Sequence, residues 1–101
     1  MEYELKFSKE FEKEFEKIGN PIRQEAWKKI LRLKENPKLI GKHLRYLDLW
    51  ELHVQMFRIF YVIDENKIKL LMLSIKHKDD CDKYVRGLSP EKIKQLLSSL
   101  S

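Results

Sequence analysis

The sequence predicts an α+β fold in the order β-α-α-β-β-β-α, a mainly antiparallel sheet with a helix hairpin packed on one face. Three observations lead there. Residues 49–63 read as two successive strands with a tight turn between them. Two helix-period stretches precede them, separated only by Gly19-Asn20-Pro21. A further strand and a last amphipathic stretch follow across short polar connections, which join strands antiparallel. The 101 residues suit a single domain, residues 1–101, with a modest core.

The first strand covers residues 2–7, where Tyr3, Leu5 and Phe7 alternate with polar neighbours. Ser8 is placed to cap a helix whose apolar residues are Phe11, Phe15 and Ile18. Glu10 and Glu12 fall in its first turn, where the helix dipole favours acid, and Gly19 stops it. Asn20-Pro21 starts a second helix with a stripe of Ile22, Ala26, Ile30 and Leu33, flanked by Trp27 and Leu31. Asn36-Pro37 ends it. Residues 38–48 read as a connection in which Gly41 permits a turn.

The centre of the chain is Leu49 to Ile63. Trp50, Leu52 and Val54 alternate with Glu51, His53 and Gln55, the period of a half-buried strand. Phe57 to Ile63 is aromatic and β-branched with one charge, Arg58. An unpaired buried guanidinium is costly, so Arg58 is paired or at the rim of a site. A turn at Gln55 and Met56 brings Glu51, His53 and Arg58 within reach of one another. The face of the hairpin opposite Trp50, Leu52 and Val54 is therefore the candidate site.

Asp64 to Lys67 makes the next turn. Ile68 to Ile75 is apolar on both faces, Ile68, Leu70 and Met72 against Leu71, Leu73 and Ile75, as in a covered central strand. Composition then changes to a charged stretch, residues 76–86, ended by Gly87. Ser89-Pro90 opens a last helix with Ile93, Leu96, Leu97 and Leu100 on one stripe. That stripe must dock on the body or on a partner.

Of the residues, 43% are hydrophobic and 37% charged, the latter high for a globular protein. A net charge of +5 and a pI near 9.3 favour a polyanionic partner. The excess is spread along the chain, so charge alone does not choose one. The single cysteine, Cys81, excludes an intrachain disulfide and suits a reducing cytoplasm. No apolar run reaches membrane-spanning length, so neither a membrane segment nor a signal peptide is expected. His77 and Cys81 have helical metal-ligand spacing, but one Cys and one His make a weak zinc signal. No metal or other cofactor is expected.

Four stretches carry a resemblance to a known family: Gly41-Lys42-His43-Leu44-Arg45, Leu49 to Val54, Phe57 to Asp64, and the basic end of the last strand running to Tyr84. In this order and spacing the chain resembles the RelE/ParE toxin superfamily, in its RelE-like branch, over nearly its whole length. The resemblance implies the toxin of a type II toxin–antitoxin system, a ribosome-dependent mRNA endoribonuclease. Such an enzyme uses attack of a ribose 2′-hydroxyl on the adjacent phosphate, without metal. The implied partners are a cognate antitoxin, the ribosome and mRNA, and operator DNA through the antitoxin. Within the superfamily, ParE-like members act on gyrase and need no nuclease site, and a degenerate toxin would bind only its antitoxin.

The family's strand arginine falls on Arg58, its basic position after the last strand on Lys78, and its base-stacking tyrosine on Tyr84. Where the family commonly carries two basic residues on the preceding strand, this chain has Glu51 and His53. The implied reaction needs a base, stabilisation of added phosphorane charge, and a proton for the leaving 5′-oxygen. His53 or Glu51 supplies the base, or Glu51 orients His53. Arg58 clamps the phosphate, and Lys78 or His77 donates the proton or stabilises charge. Lys42, Arg45, Lys76 and His77 hold RNA backbone, and Tyr84 stacks a base. Each residue also has a reading from folding alone. His53 and Glu51 would be solvent-facing, Arg58 would pair with Glu51 or Asp64, and the Tyr84 ring would be buried on the body.

Overall fold

The computed structural model describes residues 2–45 and 47–98. Strand β1 is Glu4–Phe7, followed by helices α1 (Lys9–Glu16), α2 (Ile22–Leu33) and the single turn α3 (Pro37–Ile40). Strands β2 (Lys42–Leu44), β3 (Leu49–Val54), β4 (Phe57–Asp64) and β5 (Lys69–His77) come next. A 3-10 turn, Lys78–Asp80, leads into α4 (Cys81–Arg86) and α5 (Pro90–Ser98). The sheet order is β1-β5-β4-β3-β2, with β1 parallel to β5 and all other pairs antiparallel. The α+β class and the mainly antiparallel sheet are as the sequence predicts.

Helix α1 forms for the local reason expected, whereas α2 starts one residue later than Asn20-Pro21 predicts, with Pro21 at its N-cap and no side-chain cap. The Ser8 hydroxyl accepts from the Phe11 N–H at 3.0 Å, capping α1, and donates to the Leu73 carbonyl at 2.7 Å. Phe11 of α1 and Ala26, Ile30 and Leu33 of α2 are buried on one sheet face, against Leu52, Val54, Ile59, Tyr61, Leu70, Met72 and Ile75. Fully burying a side chain the size of Phe11 contributes about 2–3 kcal/mol.

Three features depart from the sequence reading. The connection 38–48 contains α3 and the edge strand β2. Gly41 is extended (φ −90°, ψ 172°), so it is not there for a special turn. A Cβ on it would lie 1.8 Å from the Tyr61 hydroxyl oxygen, so it is glycine for space. The charged stretch after β5 is helical, because Cys81, Tyr84, Val85 and Leu88 fall at helical spacing and pack on the second sheet face. The last helix docks there too. Ile93 is buried, and Leu96 and Leu97 pack against the cluster of Leu47, Leu49, Phe60, Val62, Leu71 and Leu73. The apolar stripe is thus covered by its own sheet, while Leu100 lies outside the described residues. The result is three layers, with helices on both faces.

A β-bulge settles which side chains of β5 face where. Phe60 pairs with Ser74 but Tyr61 with Met72, leaving Leu73 as the extra residue. Strict alternation would put Ile75 with Leu71 and Leu73. It joins Leu70 and Met72 under α1 and α2 instead. Beyond the bulge every side chain of β5 is exchanged between faces.

Candidate active site

The β3–β4 hairpin turns at Gln55 and Met56, with Gln55 in the left-handed region at φ 56°. His53 pairs directly with Arg58, and Arg58 in turn with Lys76. Paired residues share a face, so these three form one row across β3, β4 and β5. The adjoining row is Lys42, Glu51, Phe60 and Ser74. Trp50, Leu52 and Val54 lie on the opposite face under the helix pair. The hairpin register is the one the alternation requires.

Within this face His53 is exposed, and its Nε2 is hydrogen-bonded to the Glu51 carboxylate. The Glu51 side chain is only 15% exposed. The His53 backbone is anchored to the helix layer, because Lys29 Nζ donates to its carbonyl at 3.0 Å. Arg58 is half-buried. Its guanidinium donates to the carbonyls of Gln55 at 2.8 Å and Phe57 at 2.9 Å. Among the described residues no carboxylate lies within ion-pairing distance of it, so the pairing with Glu51 or Asp64 does not form. A guanidinium held by two neutral carbonyls keeps its charge available to an incoming anion.

Lys78 opens the 3-10 turn and is exposed. Its N–H donates to the Met56 carbonyl at 2.7 Å, tying the end of β5 to the hairpin turn. Lys42 is exposed on the β2 edge beside Glu51, and Arg45 is exposed in the turn after it.

Three of the sequence-predicted residues sit otherwise. His77 pairs with Phe57, edge-on to its ring at 5.7 Å, on the helix-pair face and away from Arg58. The bulge at Leu73 is the cause. Lys76 shares the Arg58 face but is neutralised by α1. Its Nζ lies 2.5 Å from Glu14 Oε2 and 3.9 Å from Glu10 Oε2. Burial would lower its pKa, but the Glu14 hydrogen bond and the Glu14 and Glu10 charges hold it above the usual lysine value. Tyr84 packs on Phe60 (centroids 5.1 Å), and the Lys76 ammonium lies 5.2 Å from its centroid. Burial pushes its phenol well up, with Glu10 and Glu14 adding to the shift. Its stacking surface is taken up by the protein itself, as the folding-only reading has it.

Sequence reasoning missed Glu14. Beyond Met72, β5 has no β1 partner, and the Glu14 carboxylate fills that gap. Its Oε1 accepts from the Ser74 hydroxyl at 2.6 Å and the Ile75 N–H at 3.2 Å. Nothing local marks Glu14 among the many acidic residues of α1. Nor does the sequence show that α4 brings Cys81, set aside there as a weak metal ligand, to the site face. Burial and then Glu51 push its thiol up, while Arg58 pulls it down. Among the described residues no group of three or more His, Cys, Asp or Glu converges as a metal site. No helix among them is long and apolar enough to cross a membrane.

The sequence model for the ParE toxin of type II toxin–antitoxin systems matches residues 5–80. The chain belongs to this toxin family. Solved structures in the RelE/ParE superfamily share its fold. A doubly substituted mutant of the Escherichia coli RelE toxin in the free state matches with a TM-score of 0.72 and 24% identity, over 87% of this chain and 100% of that one. The toxin–antitoxin complex RelBE2 of Mycobacterium tuberculosis matches with a TM-score of 0.68 and 21% identity, over 76% and 99%. The archaeal RelE–RelB complex of Pyrococcus horikoshii matches with a TM-score of 0.65 and 16% identity, over 77% and 97%. Comparison with curated proteins gives no match. At these identities the structural likeness is one of fold.

Proposed function

We propose that this ParE-family toxin is a ribosome-dependent mRNA endoribonuclease, restrained by a cognate antitoxin. The observation that carries the reading is the Arg58 guanidinium. It stands opposite the His53–Glu51 pair, on one sheet face, with no carboxylate neutralising it. In this reading His53 takes the proton of the ribose 2′-hydroxyl, and Glu51 holds its ring and stabilises the imidazolium formed. The 2′-oxygen attacks the adjacent phosphorus, and the P–O5′ bond breaks. Arg58 carries the charge gained by the phosphoryl oxygens, a role worth roughly 10² or more in rate. Lys78 is the candidate to stabilise or protonate the leaving 5′-oxygen, and Lys42 and Arg45 hold backbone phosphates.

A site with one good base is weak, so the message must arrive with its 2′-hydroxyl already aligned. Holding the reacting groups in line can supply roughly 7–11 kcal/mol. The ribosome is the scaffold that would do so. Primer extension on a message with and without ribosomes tests this reading. Cleavage only on ribosomes supports it, and no cleavage in either case removes it.

A second reading is favoured by the family match itself. ParE-like members act on gyrase without a nuclease site, and this chain has Glu51 and His53 where RelE-like toxins commonly carry two basic residues. Inhibition of gyrase supercoiling by a toxin that leaves message intact would select it.

A further inference from the structure

A cleft of about 550 Å³ opens beside the candidate active site, between β2 with its following turn and helix α4. That is within the range of sites that hold small ligands, roughly 300–1,000 Å³. Leu44 and Leu47 form one wall, and Cys81, Val85 and Leu88 the other. Glu51 lines it too, as do Asp82 and Arg86 of α4. One carboxylate oxygen of Glu51 meets His53, and a carboxylate can accept further hydrogen bonds through its remaining lone pairs. Glu51 lines the cleft and stands one row from the His53–Arg58 pair on the same sheet face, so the cleft adjoins the row that carries the Arg58 guanidinium.

We propose that this cleft receives an unstacked nucleobase of the bound RNA and that Glu51 selects guanine. The inference rests on the reading of the toxin as an endoribonuclease. Apolar walls on two sides suit the faces of a flat base, as unpaired nucleotides are taken up by proteins generally. A carboxylate repels phosphate, so what Glu51 accepts from RNA is a base N–H. Guanine alone presents two adjacent donors on its Watson–Crick edge, the N1 imino and N2 amino groups, which match the two oxygens of a carboxylate. Adenine and cytosine set one amino group beside an acceptor, and uracil sets one imino group between two carbonyls. A bidentate match of this kind discriminates by roughly tenfold or more.

The test has two arms. In the first, cleavage positions on ribosome-bound message are mapped for wild type and for Val85→Phe, which fills the cleft from the α4 wall. Leu44→Phe does the same from the β2 wall if the first variant does not fold. Wild type is expected to cut beside guanine roughly tenfold or more above other bases. A folded cleft-filled variant should still cut but with that preference levelled. Cleavage without preference in wild type, or with the same preference in the variant, overturns the proposal while the endoribonuclease reading stands.

The second arm needs no cleavage. The four nucleoside 5′-monophosphates are titrated into the full chain, and amide shifts are followed by NMR. Guanosine monophosphate alone, or at about tenfold lower concentration, should move Leu44, Leu47, Val85 and Leu88. Cleft residues indifferent to all four nucleotides overturn the proposal. So do cleft residues that respond only to the co-expressed antitoxin, which would make the cleft a protein surface. Absence of cleavage with a guanosine response intact would instead remove the endoribonuclease reading and keep the base site.

Discussion

Arg58 and His53 are direct cross-strand partners on the hairpin β3–β4, and only His53 of the two is matched with a carboxylate. That asymmetry separates the two roles. A histidine against Glu51 is held in one orientation, whereas an arginine held by neutral carbonyls keeps a charge that no carboxylate meets.

Arg58→Ala should therefore lower single-turnover cleavage of ribosome-bound message by roughly 10² or more. Thermal stability should change little. The two carbonyls it serves lie at a turn and at the strand start, where water can replace the lost donor. A folded Arg58→Ala protein with the wild-type rate would exclude the phosphate-clamp role.

His53→Ala and Glu51→Gln should each reduce the rate, and the double change should not simply add their effects. If Glu51 acts only by holding His53, the double variant should be as slow as His53→Ala alone. If Glu51 also serves as a substitute base, the double variant should be far slower than either. The cycle is read from the four single-turnover rates, and strict additivity would mean that the hydrogen-bonded pair has no shared function.

Glu14→Ala should destabilise the fold although it lies outside the proposed chemistry. It removes the acceptor of Ser74 and Ile75 and the partner of Lys76. The pair is partly exposed, 23% and 26%, so its loss falls between that of surface and buried ion pairs, about 2 kcal/mol. In a domain of this size that lowers Tm by roughly 8–16 °C. Lys76→Met should cost less, because Glu14 keeps its other two donors. Equal Tm values for wild type and Glu14→Ala would show that the open edge of β5 needs no cap.

Stability should fall on the alkaline side. Burial holds the phenols of Tyr61 and Tyr84 above their ordinary value of 10.0, and Glu14 holds Lys76 above 10.5 against its own burial. All three keep their protons longer when folded. Their stabilising contribution is complete below the unfolded values, and it is lost as pH rises through about 10 and beyond. Urea melts across that range should weaken steadily, with a shallower fall for Tyr84→Phe. An unchanged slope in that variant would place its ring in solvent.

Gly41 should accept no side chain while Tyr61 is present. Tyr61 is fully buried and donates to the Pro37 carbonyl at 2.6 Å, so it cannot yield to a Cβ at 1.8 Å. Gly41→Ala should cost about 3 kcal/mol, the upper range for overpacking. Tyr61→Phe alone should cost about 1–3 kcal/mol through the orphaned carbonyl. Combined, they should cost less than their sum, since the nearest clash is with the hydroxyl. A sum of the two in the double variant would locate the clash elsewhere.

The hairpin was legible in the sequence because its signals are local. Alternation over Trp50 to Gln55 assigns faces, and a turn at Gln55 and Met56 leaves one register that buries the apolar set. The pairing of His53 with Arg58 follows from those residues alone, as do the Ser8 cap and the core stripe of α2. The right-hand half of the site was not legible, because one residue of bulge at Leu73 turns His77 under the helices and Lys76 toward Arg58. A period-two reading has no means of counting that residue. Nor does α1 show which of its carboxylates will reach a strand about sixty residues away, or residues 81–86 that their helix will wall a cleft over Glu51. Those are decided only when the second layer packs, because long-range contacts depend on where open edges and empty volume remain after the local elements have formed.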